Sequence, residues 1–279
     1  MARPYRLKGE NCFYHVTSRG NDRKKIFLRK DDYERFLGYV LVAKERFKFK
    51  VYAYCLMNNH YHLLFETTLP NISEVMQYIN GSYTIYYNTK YRRCGHLFQG
   101  RFKSIVVEKD LYFLALSHYI HLNPVRAGLV SSPERYPWSS YWGYLGQRNK
   151  YIDNAAIEKH LGMSKRNYRQ FVLEGIGQEV NPLKDVYAGF LLGSVRFIKD
   201  QLKLLKNQVS SEEVAYKAAL RTDSLDQDEI LTAVSKRYHR SVKEIYDSNR
   251  RPMRVKQVAI YLLRKYLSLI HISEPTRPY

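Results

Sequence analysis

Two strand-like runs, residues 51–56 and 61–65, are separated by only Met57-Asn58-Asn59-His60. A connection that short suits a hairpin, and a hairpin makes its strands antiparallel, because parallel neighbours need a crossover of about a dozen residues or more. Residues 11–17, rich in aromatic and β-branched side chains and closed by Arg19-Gly20-Asn21-Asp22, read as a strand and turn. Asp31 and Asp32 can cap a helix in which Phe36, Leu37, Val40, Leu41 and Phe47 recur at helical spacing, ending near Lys50. Asn71 or Ser73 caps another through roughly Tyr87. Residues 102–107 read as a strand, and Asp110 caps a helix that runs until Asn123-Pro124. The order β, α, β, β, α, β, α predicts the α+β class: an antiparallel sheet with helices packed on one face, not a doubly wound parallel sheet.

The turn-rich passage from Ser131 to Ser140 closes a first domain, expected over 1–143, and 144–210 reads as a helical connector. Within it, 164–174 and 187–205 are candidate helices. An all-α module is expected over 211–266: Ile230, Val234 and Tyr238 share a stripe, and Ser241 with Glu244 forms a capping-box pattern. Val255, Val258, Ala259, Leu262 and Leu263 share another stripe.

The partner is indicated by charge. There are 46 Lys and Arg against 26 Asp and Glu, a formal net charge of +20, which attracts a polyphosphate over long range. The 26 tyrosines, several interleaved with Arg and Lys between Tyr83 and Arg93, offer platforms for unstacked bases. Cys12, Cys55 and Cys94 have no paired spacing, which argues against a disulfide framework or thiolate zinc site and for a reducing cytoplasm. Met1 to Glu10 is polar and basic with no apolar run behind it, so neither a signal peptide nor a membrane span is expected there.

Chemistry is suggested first by His60-Tyr61-His62. Strand alternation sends both imidazoles to one face, close enough to converge on one ion, although the same pattern suits two packed or solvated histidines. In the helix after Asp110, Tyr112, Ala115, Tyr119, Asn123 and Arg126 follow one stripe, while Phe113, Leu116 and Ile120 face elsewhere. A tyrosine of ordinary pKa, about 10, is a poor nucleophile and needs a divalent cation that polarises the phosphate it attacks. His60, His62 and the Asn123 carbonyl oxygen would supply three ligands. By periodicity alone Tyr119 reads as a packing residue, Pro124 distorts the last turn, and His118 and His121 are rival ligands pointing off the stripe.

These residues resemble the REP-associated tyrosine transposases, members of the single-tyrosine HUH transposases. The resemblance spans Tyr14 to Tyr141 in five blocks: 14–21, 53–64, 97–104, 119–130 and 136–141. These hold Tyr14-His15-Val16-Thr17, Asn59-His60-Tyr61-His62-Leu63, Phe98-Gln99-Gly100-Arg101-Phe102-Lys103, Tyr119-Ile120-His121-Leu122-Asn123-Pro124 and Tyr136-Pro137-Trp138-Ser139-Ser140. It implies a ferredoxin-like HUH domain with Tyr119 as nucleophile and His60, His62 and Asn123 as ligands of Mg²⁺ or Mn²⁺. Tyr61 stands where the family usually has an apolar residue, on the opposite strand face from the ligands. It implies cleavage and rejoining of single-stranded DNA through a 5′-phosphotyrosine link, at palindromic hairpins beside a single-stranded guide. Arg19, Arg101, Lys103 and Arg126 then become candidate contacts to phosphate or base edges. The expected partners are single-stranded and hairpin DNA, with a homodimer left open and a nucleoid-associated location.

Residues 228–266 resemble the start of the DNA-binding domain of the bacterial replication initiator, through Asp228-Glu229-Ile230-Leu231, Val242-Lys243-Glu244-Ile245 and Ala259-Ile260-Tyr261-Leu262-Leu263. Residues 267–279 resemble a sequencing-library adapter translated in frame, so the natural chain is expected to continue differently past Tyr266. Two other classes fit the charge: a non-catalytic nucleic-acid regulator, and an RNA phosphoesterase using the paired histidines as acid and base without metal.

Overall fold

The computed structural model describes residues 7–178, 180–208, 227–238, 241 and 244. The chain divides into two units, Arg6–Leu205 and a second made of Met1–Tyr5 with Lys206–Tyr279. In the first unit, β1 (Cys12–Arg19) is followed by α1 (Lys30–Phe47), then β2 (Phe49–Met57) and β3 (His60–Thr67). Then come α2 (Ile72–Lys90), β4 (Lys103–Val107) and α3 (Lys109–Arg126). This is the element order expected, and the class is α+β.

The sheet runs β2-β3-β1-β4 and ends on β5 (Leu191–Leu192), with the first three pairings antiparallel. Two details differ from expectation. Residues 187–205 do not form one helix: the chain turns at Ala188 (φ 49°) and Gly189 (φ 79°), and Leu191–Leu192 add as β5, parallel to β4. The turn lets Phe190 O and Leu192 O accept from Val106 N and Glu108 N at 2.8 Å each, which satisfies an edge otherwise open to solvent. Only after it does α7 (Val195–Gln208) begin.

The helices also occupy both faces rather than one. Phe36 of α1 meets Tyr61 at 4.7 Å and Tyr83 of α2 at 5.2 Å on one side. Phe113 of α3 meets Phe13 at 6.3 Å and Tyr52 at 5.8 Å on the other. The cause is apolar side chains on both sides of the strands: Tyr61 and His62, Phe13 and Tyr14 are buried alike, so each face needs a cover.

The free edge of β2 is covered by the turn-rich passage. Leu56 N donates to Trp138 O at 2.9 Å and Ser140 N to Tyr54 O at 3.0 Å. A one-turn α4 (Tyr141–Tyr144) follows, and α5 (Asn154–Leu161) and α6 (Lys165–Glu174), in the stretch read as a helical connector, belong to this same unit. Ser164 caps α6, its hydroxyl accepting from Asn167 N at 3.1 Å.

Of the second unit, α8 (Gln227–Tyr238) is described, with Leu231 and Val234 buried. The capping box read at Ser241 and Glu244 is formed: Ser241 N donates to Glu244 Oε2 at 3.0 Å and Glu244 N to Ser241 Oγ at 3.2 Å. The remainder of the initiator-like segment and residues 267–279 lie outside the described residues. Among the described residues no helix is long and apolar enough to cross a membrane.

Candidate functional site

The register of β1 on β3 sets the site. Thr17 lies opposite His62, Arg19 opposite His60 and His15 opposite Leu64, so His15, His60 and His62 share one sheet face. That face is covered by α3. Phe113, Leu116 and Ile120 are buried beneath the helix, each contributing about 1.5–3 kcal/mol, while Tyr112, Ala115, Tyr119 and Asn123 are part-exposed along its flank. The stripe read from the sequence is thus the helix flank beside the imidazoles. The Tyr119 ring stands edge-on to His62 at 5.8 Å and to His15 at 6.4 Å.

The imidazoles are held from behind. His60 Nδ1 lies 2.7 Å from Asn59 Oδ1, and an amide oxygen only accepts, so Nδ1 carries the proton and Nε2 keeps its lone pair. His62 Nδ1 lies 2.9 Å from His15 Nε2, with the rings stacked at 14° and 5.2 Å between centroids. One of those two nitrogens donates to the other. Burial pulls the His15 pKa down to about 4 and holds His62 well below its ordinary value, where the neighbouring His15 and His60 add to the effect. His60 is also lowered, by burial and then by the Arg19 charge. Three neutral imidazoles therefore face the tyrosine, the form in which imidazole binds a metal.

Asn123 lies one turn beyond Tyr119. Its Nδ2 donates to Tyr119 O at 3.3 Å, which leaves Oδ1 as the free end of the amide. The helix continues through Pro124 to Arg126 instead of ending there, so the amide and the phenol share a continuous flank. The Arg126 guanidinium lies over the Tyr119 ring, 5.1 Å from its centroid. Among the described residues no group of three or more His, Cys, Asp or Glu is placed to hold a metal.

The other basic residues are distributed around this face. Arg19 Nε and Nη2 donate to Gln99 Oε1 at 3.2 and 2.8 Å. Lys103 is exposed at the start of β4, opposite Thr17. Arg101 does not lie on the strand with it. Gly100 (φ 67°) turns the chain out between Phe98, which bridges Gly20, and the first β4 residue, so Arg101 precedes the strand.

The rival histidines are spent elsewhere. Tyr168 OH donates to Ser117 Oγ at 3.1 Å, so His121 Nδ1–H donates to the Tyr168 oxygen at 2.7 Å. The Ser140 hydroxyl donates in turn to His121 Nε2 at 2.7 Å, and Ser140 Oγ accepts from Tyr54 N at 2.9 Å. This chain ties α3 to α6 and to the β2 edge and so fixes where Tyr119 stands. His118 packs on Phe171 at 4.6 Å. Sequence reasoning missed His15 and this anchor; the only signal for His15 was its place in the first motif block.

An α+β domain whose central strands present paired imidazoles to a tyrosine on the covering helix is the class these observations define. Residues 8–123 match the family model of the IS200-like transposases. No curated protein matches the chain. Similar solved structures include a REP-associated tyrosine transposase bound to a REP hairpin, 16% identical over 55% of this chain and 92% of that one, with a TM-score of 0.47. Another is tRNA(His) guanylyltransferase from Saccharomyces cerevisiae, 10% identical over 65% of this chain and 85% of that one, with a TM-score of 0.34.

Proposed function

We propose that this chain cuts and rejoins single-stranded DNA at palindromic hairpins, with Tyr119 as the nucleophile. The observation that carries the reading is the convergence of Tyr119 on His62 and His15, beside His60, inside an IS200-like transposase domain. Tyr119 Oη attacks the phosphorus, the bond to the 3′ oxygen breaks, and that oxygen takes a proton and leaves as a free 3′-OH. The phenol proton passes to solvent. Because one phosphodiester replaces another, the 3′-OH of a second strand end can reverse the step without ATP or water.

The donor set fits a hard divalent cation with two neutral imidazole nitrogens and an amide oxygen. His60 Nε2, His62 Nε2 and Asn123 Oδ1 would hold Mg²⁺ or Mn²⁺, which when bound supplies positive charge to the phosphate oxygens. Arg126, against the Tyr119 ring, stabilises charge growing on the phenolic oxygen and the phosphate. Arg19, Arg101 and Lys103 provide phosphate contacts around the same face.

The test is a labelled hairpin oligonucleotide with a single-stranded flank, incubated with the protein and Mn²⁺ and run on a denaturing gel. A protein-linked band that disappears in Tyr119→Phe and on chelation is expected. Cleavage that survives both would instead indicate metal-free acid–base chemistry by the histidines and overturn the proposal.

A further inference from the structure

The chain between α3 and α5 carries a feature that this chemistry does not use. From Glu134 to Tyr151 it runs along the outer edge of β2 and, with Tyr54, encloses a cleft of about 760 Å³, within the range of small-ligand sites. Arg135, Arg148 and Lys150 line it. Its one lining carboxylate, Glu134, is already taken by Arg169, whose Nε lies 2.7 Å from Oε1. Neither Arg135 nor Arg148 pairs with a carboxylate among the described residues. Three cations therefore face one cleft whose single lining carboxylate is held by Arg169.

The aromatic walls are fixed before any ligand arrives. Trp142 Nε1 donates to Glu134 O at 3.1 Å, which sets the indole plane. Asn149 Nδ2 donates to Tyr54 OH at 3.2 Å while its Oδ1 accepts from Tyr151 N at 3.0 Å. Trp142 and Tyr151 remain part-exposed. Rings held in place beside cations suit an unstacked nucleotide, with a π-face for the base and charge for the phosphate; Lys150 itself lies 5.3 Å from the Tyr151 ring centroid, where a phosphate would draw it off. Position adds a second argument. Ser139, in the cleft wall, bridges Cys55, and Cys55 lies opposite His62. Two strand spacings, about 10 Å, separate this wall from the histidine strand at that level.

We infer that this cleft binds one nucleotide of single-stranded DNA in the segment flanking the scissile bond, its base against Trp142 and Tyr151 and its phosphates on Arg135, Arg148 and Lys150. The inference rests on the strand-transfer reading, but its test separates the two. The protein has two tryptophans, and Trp138 is stacked on Tyr33 at 4.4 Å, so fluorescence quenching by an added strand reports mainly Trp142. The full chain is titrated at fixed salt with the oligonucleotide dT8 and with a blunt hairpin lacking any flank. Arg135→Ser/Arg148→Ser is titrated alongside; both sites are exposed, so the fold should be kept.

Quenching by dT8 is expected, with binding about tenfold weaker in the double variant. The slope of log affinity against log salt should fall by about 1.4 for two lost phosphate contacts. Affinity for the blunt hairpin should move far less. Absence of quenching, or an equal loss for both oligonucleotides, would overturn the site. Quenching without any Tyr119-linked product would keep the cleft and sink strand transfer; product without quenching would do the reverse.

Discussion

His15→Leu separates a positioning role from a packing one. The leucine fills a similar space on the sheet face but removes the partner of His62 Nδ1, 2.9 Å away. The stability cost is small by the structure's own accounting. One buried hydrogen bond is lost, worth about 1 kcal/mol, but His15 Nδ1 is itself buried without a partner, and deleting that orphan returns a comparable amount. The net change should stay within about 1 kcal/mol, a shift of about 2–4 °C in melting temperature for a unit of this size.

Cation binding should suffer more. Freed from that partner, the His62 ring can turn, and removing such a support typically lowers metal affinity roughly 10- to 100-fold, about 1.4–2.7 kcal/mol. Titration calorimetry with Mn²⁺ on the metal-free full chain measures the affinity and a thermal melt measures the fold. His15→Gln, which can still donate or accept, should recover part of the loss. Mn²⁺ affinity within threefold of the parent, or a loss of affinity matched by a collapse of the melt, would refute the positioning argument.

Further outcomes follow from the same geometry. Tyr119→Phe removes only a hydroxyl from a part-exposed ring, so hairpin affinity should hold within about threefold while covalent product vanishes; gel shift and denaturing gel together check this. Arg126→Met should slow product formation by about tenfold or more, read in single-turnover assays at saturating DNA, because the cation over the Tyr119 ring is lost.

His121 is buried and its pKa is held down to about 3 by burial, so between pH 6.5 and 3 the unfolded chain binds a proton that the folded one does not. Stability should therefore fall with falling pH, by up to about 1.4 kcal/mol per unit from this residue; urea midpoints at pH 7.5, 6 and 5 should show it, and a flat series would contradict it. Asp32 accepts from Leu28 N and Arg29 N, from the Tyr86 and Tyr91 hydroxyls, and from Lys90. Asp32→Ala should cost about 2–3 kcal/mol, seen as a lowered denaturant midpoint, since it leaves two backbone amides and two phenols without their acceptor while Lys90 keeps Asp31 at 2.6 Å.

Much of this was legible because it is local. The hairpin could be read from two alternating runs and a polar tip, and it is there, its strands extended by one to two residues at each end. The α3 stripe followed from 3.6-residue spacing, which needs no knowledge of what the helix packs on. What escaped reading is long-range. His15 belongs to β1, 47 residues from His62, and only strand register brings them together. The assignment of helices to faces depends on which side of each strand is apolar, and here both are, so alternation gave no preference. The β5 addition depends on a turn at Ala188, a residue type that seldom takes positive φ and so sends no signal. The cleft along β2 depends on how a strap of turns closes against a strand edge, which no periodicity records.

The structure also supplies a criterion that spacing could not. Five histidines lie on α3 and its facing sheet, and each imidazole has two nitrogens. His121 spends both, on Tyr168 and Ser140. His118 is wedged between Phe171 and Gly175, so closely that a Cβ at Gly175 would fall on its ring. His15 spends Nε2 on His62 and leaves only a buried Nδ1. His60 and His62 each have one nitrogen engaged from behind, and their other nitrogen, unlike His15 Nδ1, is not a buried atom without a partner. A metal ligand needs both conditions at once: a lone pair to give and a partner that fixes where it points. The two histidines that meet them are the pair that strand alternation placed on one face, beside the tyrosine.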